Sequence, residues 1–237
     1  MYGEVYFAPE QRRSVPFLRA HSGIMVIMSR PHIITLSGKP GSGKSSTADK
    51  VAEMLNYTRH SSGDMVRQLL KKHHLTLAQY NERAKNDHEL DDQVDRMLRD
   101  LRDSQDIVVD SRLGFYWIPE SFKVYLDLDM EVATVRIYKD AVSNTSRSAA
   151  GEGTASLMEV SKQVRSRMQN EQNRFRTLYH VDPYDTAHFD LVIDTSRHSP
   201  QTVALTVFDT YKKWLETEIW RQVRSAVPAG FSFKNQY

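Results

Sequence analysis

Short apolar runs, each closed by a turn residue, are separated by longer stretches in which apolar residues recur every three or four positions. Ile33-Ile34-Thr35-Leu36-Ser37 is mostly β-branched, uninterrupted and followed by glycine, which predicts a buried strand. Beyond a glycine-rich turn, Ala48, Val51, Ala52 and Leu55 fall at helical spacing. Ile107-Val108-Val109, Phe122-Lys123-Val124-Tyr125-Leu126 and Leu191-Val192-Ile193 predict later strands. Strands alternating with helices imply an α/β protein with a parallel sheet. The charged, helix-patterned region from Asp64 to Asp103 is too long for a simple crossover and predicts a helical insertion of its own. A second insertion, from about Asp140 to Leu157, is rich in Ser, Ala, Gly and Thr and reads as a loop. The helix after it, through Tyr179, carries Arg165, Arg167, Arg174 and Arg176. Val203, Val207, Tyr211, Trp214 and Leu215 predict a last helix packed on the sheet, and no internal repeat is found.

Composition narrows the class. With 237 residues, 40% of them hydrophobic, the chain can bury one full core around a sheet. A net charge of +2 gives no broad basic footprint, so no nucleic-acid partner is expected. The absence of cysteine excludes disulfides, thiolate nucleophiles and zinc ribbons, and suits a reducing, cytoplasmic setting. No apolar run reaches membrane-spanning length; the longest near the start is Gly23-Ile24-Met25-Val26-Ile27-Met28. Arg12, Arg13, Arg19 and Arg30 against Glu4 and Glu10 give the first 30 residues a surplus of two positive charges, equal to the whole excess. Residues 1–31 read as an N-terminal extension rather than a targeting segment, with Met25 and Met28 as candidate alternative starts.

Gly38-Lys39-Pro40-Gly41-Ser42-Gly43-Lys44-Ser45 matches G-x-x-x-x-G-K-[ST] at every fixed position, between an expected strand and an expected helix. Such a loop curls so that successive N–H groups face phosphate oxygens, and the helix N-terminus adds its dipole. This assigns Gly38 through Ser46 to ATP, with Lys44 on the β- and γ-phosphates and the Ser45 hydroxyl on Mg2+. The rest of the chain selects among nucleotide users. There is no N-K-x-D element to read guanine and no D-x-x-G. The strand Ile107-Val108-Val109-Asp110 ends in a lone acid followed by Ser111 and Arg112, not in the paired carboxylates of a hydrolytic ATPase. Asp110 suits metal positioning, and Arg112 suits either a second phosphate or a surface salt bridge.

Taken in order, these stretches resemble the cytidylate kinases, in their short archaeal-type form. The family's G-x-P-G-S-G-K-[ST] loop is met by Gly38 to Ser45, and S-x-G-D-x-x-R after a strand by Ser61-Ser62-Gly63-Asp64-Met65-Val66-Arg67. I-D-x-x-x-D is similar to Leu90-Asp91-Asp92-Gln93-Val94-Asp95; the arginine expected soon after is Met97, so Arg96 or Arg99 takes that contact or it is lost. The acidic-glycine-arginine turn resembles Asp110-Ser111-Arg112, with serine for glycine. The late helix matches at Arg167, Glu171, Arg174, Phe175, Tyr179 and Asp182, before a strand at Asp190 to Thr195. The resemblance implies a P-loop sheet with helices on both faces in one domain over residues 32–216, with a helical monophosphate-binding insertion at 62–104, a helical lid at 136–176 and a tail at 217–237. It implies ATP and Mg2+, CMP or dCMP as acceptor, no membrane partner and a monomer. Ser62, Gly63, Asp64, Arg67, Asp110, Arg112, Glu171, Arg174 and Asp182 would bind the monophosphate, and Arg136 and Arg167 would serve the lid.

Phosphoryl transfer to a phosphate needs charge neutralisation rather than a general base, since the two nucleotides bring roughly six negative charges. Lys44, Arg112, Arg167 and Arg174 are the candidate catalytic cations. Glu171 lies four residues from Arg167 and three from Arg174, so the three share a helical face, as a phosphate-directed group or as a solvated salt-bridge row. Phe115, Tyr116 and Trp117 either stack on a base or cap a core. No histidine spacing suggests another metal. Other small-molecule P-loop kinases, with AMP, UMP or a nucleoside as acceptor, and a nucleotide-dependent regulatory protein remain as alternatives. Because residues 1–30 carry no motif, deleting them should leave turnover within about twofold, as for loosely tied termini; a collapse in soluble yield would show that they pack on the core.

Overall fold

The computed structural model describes residues 30–76, 79, 89–143, 156–217 and 219–224. Most of the Ser/Gly-rich stretch between Asp140 and Leu157, residues 1–29 of the N-terminal extension and 225–237 of the tail lie outside them. The elements are β1 (Ile33–Gly38), α1 (Lys44–Leu55), β2 (Thr58–Ser61), α2 (Ser62–Lys72), α3 (Glu89–Asp100), β3 (Ile107–Asp110), the single turn α4 (Gly114–Trp117), β4 (Phe122–Asp127), α5 (Met130–Ser143), α6 (Leu157–Tyr179), β5 (Leu191–Asp194), α7 (Pro200–Glu216) and β6 (Val223–Arg224). Six parallel strands stand in the order β2-β3-β1-β4-β5-β6.

The uninterrupted apolar runs are explained by helices on both faces. Ile34, Leu36, Val108 and Val124 face one way, against Ala48 and Val51 of α1 and Val203, Val207, Tyr211 and Trp214 of α7. Their strand neighbours Ile33, Ile107 and Val109 face the other way, against Met65 of α2 and Val94 and Leu98 of α3. Every second residue of β1 and β3 therefore meets a different helical layer, so neither face can be polar.

All four strands expected from apolar runs are present, and the late helix ends at Tyr179 as the pattern indicates. Apolar pattern alone missed β2, whose sequence Thr-Arg-His-Ser is polar and half-buried at one sheet edge. In the stretch expected as a tail, Val223 and Arg224 pair with β5, and Trp220 packs on the core. At the other end Arg30 is not loose: its guanidinium lies 4.3 Å from the centre of the Trp214 ring and donates to the Thr217 carbonyl at 2.6 Å.

Central β1 carries the glycine-rich turn directly into α1. Gly38 has φ 146° where β1 passes β4, and a Cβ there would press into the Leu126 carbonyl. Gly38→Ala should therefore destabilise the fold by about 2–4 kcal/mol, combining backbone strain with a backbone clash. Chemical denaturation of the two proteins measures this, and equal midpoints would overturn it.

Candidate active site

The C-terminal ends of β1, β3 and β4 converge on the turn between Gly38 and Lys44. Gly43, at φ 81°, precedes α1 and makes no side-chain cap. The first-turn N–H groups of α1 are thus left facing the loop, where an anion completes them. Lys44 lies over the loop, donating from Nζ to the Gly38 and Lys39 carbonyls at 3.2 Å each. Burial, and then the nearby positive charge of Arg112, pushes its ammonium well below the ordinary lysine range. Lys39 points elsewhere: its Nζ pairs with Asp127 at 2.7 Å and donates to the Leu128 carbonyl at 3.1 Å, so its backbone alone serves the loop. Ser42 is buried, and its Oγ has no hydrogen-bond partner among the described residues. Gly41 packs against α5 at Ala133 and Ile137, while Ser46 is exposed.

Ser45 Oγ donates to Asp110 Oδ2 at 2.7 Å, and Ser62 Oγ to the Asp110 carbonyl at 3.4 Å. A hydroxyl and a nearly buried carboxylate are hard oxygen donors, the set that suits Mg2+ completed by water and phosphate. No group of three or more His, Cys, Asp or Glu able to hold a metal occurs among the described residues.

Glu171 joins two arginines from different parts of the fold. Arg112 Nε donates to its Oε2 at 2.9 Å, Arg167 Nε to its Oε1 at 3.0 Å, and the Tyr184 hydroxyl to Oε2 at 2.6 Å. Burial works to raise the Glu171 carboxyl, but Arg112 and Arg167 outweigh it and bring it down to about 2. Burial likewise disfavours the Arg112 cation, yet Glu171 more than offsets this and holds its pKa above the ordinary value. Serine at 111 is accommodated without distortion: it is absent from the described residues of positive φ, and Ser37 Oγ holds the turn through the Ser111 and Arg112 carbonyls at 3.1 and 2.8 Å.

Arg167, Glu171 and Arg174 lie on the one helix α6, as their spacing requires, but their pairings differ. Arg167 pairs with Glu171, whereas Arg174 pairs with Asp91, buried on α3. Asp95, one turn further on, accepts from Trp117 Nε1 at 3.0 Å and from the Tyr179 hydroxyl at 2.5 Å. The acids of the Leu90–Asp95 element therefore bind the late helix to the insertion. Arg99 lies 4.2 Å from the centre of the Trp117 ring. Phe115 is buried beside Phe189 in a cluster that includes Tyr125, and partly buried Trp117 meets Tyr179 edge-on, contacts of a core cap.

Asp182 accepts from Gln172 Nε2 at 2.6 Å, Arg176 at 2.7 Å and the Tyr184 amide at 2.9 Å, which fixes the turn that carries Tyr184 to Glu171. Arg136 donates to the Thr195 and Ser196 carbonyls at 2.7 and 3.3 Å, on the loop after β5, and does not join the Glu171 group. On α2, capped by Ser61 Oγ at the Asp64 amide, Asp64 and Arg67 pair at 2.5 Å beside an unobstructed Gly63, with Arg67 largely exposed. Sequence reasoning missed Tyr184 and Arg59. The signal for Tyr184 was its place two residues after Asp182; that for Arg59 was a lone cation in a four-residue strand.

A family model described as the cytidylate kinase-like family matches residues 33–197. A cytidylate kinase of Halobacterium salinarum is 36% identical over 180 residues, covering 75% of this chain and 88% of the relative. An S-adenosylmethionine-dependent nucleotide dehydratase of Lacinutrix mariniflava is 33% identical over 186 residues, covering 76% of this chain but 36% of the relative. Among solved structures, a shikimate kinase from Bacteroides thetaiotaomicron superposes with a TM-score of 0.52 at 13% identity, covering 78% of this chain and 98% of that one. The architecture is thus the P-loop α/β kinase fold.

The electrostatics of Glu171 set a pH dependence. Its folded pKa is depressed from 4.5 to about 2, so its stabilising contribution is complete above pH 4.5 and is lost as pH falls toward 2. The contribution is about 3 kcal/mol. Between pH 4.5 and 2, wild-type stability should fall more steeply than that of Glu171→Gln; parallel denaturation curves would contradict it.

Proposed function

The chain belongs to the cytidylate kinase-like family, and on that premise we propose that it transfers the γ-phosphoryl group of ATP to CMP or dCMP. One observation carries the reading: Arg112 from the core turn and Arg167 from the late helix meet on Glu171, close enough to Lys44 that all three act on its charge. A hydrolase needs a group to activate water, whereas an acceptor phosphate is already a nucleophile and needs cations and alignment. CMP as acceptor is supported by the family description and by the name of the halobacterial relative. The dehydratase is matched over only about a third of its length, so its printed activity is not carried to this chain.

In this mechanism Lys44 leaves the loop carbonyls for the β- and γ-phosphates, exchanging neutral acceptors for anionic ones and recovering the charge that burial disfavours. Ser45 and Asp110 would hold Mg2+, which supplies charge neutralisation on the transferring group when bound. Both arginines meet Glu171 through Nε, which orients each guanidinium fork so that its outer Nη groups can serve phosphate oxygens. Charge that builds on the equatorial oxygens is then met by donors already in position. Arg67, exposed on α2, would take the acceptor phosphate, and Arg174 would act through Asp91 by tying the late helix to the acceptor region. The protein would work as a cytoplasmic monomer on free nucleotides, in pyrimidine nucleotide supply.

The test is an acceptor screen with ATP and the common monophosphates. CMP or dCMP should give the highest kcat/KM, and Lys44→Ala should lower kcat at least about a hundredfold while leaving the fold intact. A clear preference for AMP or UMP would move the protein to another acceptor; slow turnover independent of acceptor would favour a regulatory NTPase.

A further inference from the structure

Arg59 stands outside every role assigned above, yet its guanidinium touches carboxylates from three elements. Its Nη2 lies 3.1 Å from Asp110 Oδ2 at the end of β3, its Nε 3.3 Å from Asp49 on α1, and its Nη1 3.7 Å from Asp64 on α2. Each of the three nitrogens faces a different acid, a spread that a fork allows and a lysine ammonium does not, but only the Asp110 contact is a hydrogen bond: Nε has no hydrogen-bond partner among the described residues and stands within ion-pair distance of Asp49. The side chain is largely enclosed, while Asp49 and Asp64 are about half exposed or more.

Two of these contacts reach into the site. Asp110 Oδ2 is also the oxygen that accepts from Ser45, so the guanidinium occupies the neighbourhood that a divalent cation held by Ser45 and Asp110 would take. Asp64 is at the same time the partner of Arg67, through its other oxygen. We propose that Arg59 is a positioning residue that couples the metal end of the site to the acceptor end. With Asp110 engaged by a divalent cation, Arg59 would give up its Asp110 contact and pair more closely with Asp64, which would weaken the Asp64–Arg67 pair. Asp49, 3.3 Å from Nε, would remain beside the displaced guanidinium and limit the cost of moving a largely enclosed charge. Arg67, already exposed, becomes available to the acceptor phosphate only when the metal is in place. The proposal rests on the nucleotide-kinase reading for what Arg67 binds, but its metal limb does not depend on the acceptor.

The experiment uses the full chain loaded with ADP, which permits binding without turnover. Mn2+ is titrated in and free ion is read by electron paramagnetic resonance; CMP binding is then measured calorimetrically with and without the metal. Wild type should bind CMP at least about fivefold more tightly with metal present, the low end of ordinary coupling between sites. In Arg59→Met, Mn2+ should bind at least about fivefold more tightly and the effect of metal on CMP should shrink to within about twofold. Arg59→Lys keeps the charge but cannot bridge, so it should retain wild-type Mn2+ affinity and lose the coupling. A purely structural role would lower the thermal midpoint and leave both ratios unchanged, which overturns the proposal. If Arg59→Met does not fold, retained coupling in Arg59→Lys overturns it equally. If wild type does not bind CMP at all, the acceptor reading fails, while the Mn2+ comparison still decides whether Arg59 competes for Asp110.

Discussion

Lys44 is a half-buried cation at the positive end of a helix, with only neutral carbonyls as hydrogen-bond partners. Dipole and charge there have the same sign, and both favour an anion. The rest of the site is arranged around that deficit. A tight glycine turn brings the loop against β4, leaving the N-terminus of α1 without a side-chain cap, and the nearest counter-charges are held for other groups. An anion at this point would supply the counter-charge that the loop carbonyls lack.

Positive charge of this density must be stabilised while no substrate is bound, and the acids show how. Glu171 neutralises Arg112 and Arg167, Asp91 takes Arg174, and Asp110 is shared between Ser45 and Arg59. Most of these pairs join elements far apart in sequence, and two of them tie the late helix to the core turn and to the insertion. Burial makes such pairs costly to break by removing one partner, which keeps the cations oriented. The same acids therefore fix where the arginine side chains point.

The departures from the family pattern have local explanations. Ser111 adopts ordinary backbone geometry, its turn held by Ser37, so the missing glycine leaves the path to Arg112 intact. Met97 packs into the core beneath the insertion, while Arg99 lies on Trp117 rather than in the Glu171 group.

The apolar runs by themselves determined four of the strands, because a strand buried on both faces is mostly hydrophobic along its length. The loop motif likewise determined the phosphate site, because only glycines tolerate its φ values and only a lysine at that offset lies across the loop. Strand β2 was invisible to that logic, since a polar edge strand has no buried face to advertise. Helical spacing put Arg167, Glu171 and Arg174 on one face, but it could not say that Glu171 would choose Arg112, 59 positions earlier, over Arg174. Nor could it place Arg59 among acids from three elements or bring Tyr184 to Glu171. Those choices were decided by tertiary structure alone, because a charged side chain pairs with whichever counter-charge folding buries beside it, and that neighbour leaves no periodic trace along the chain.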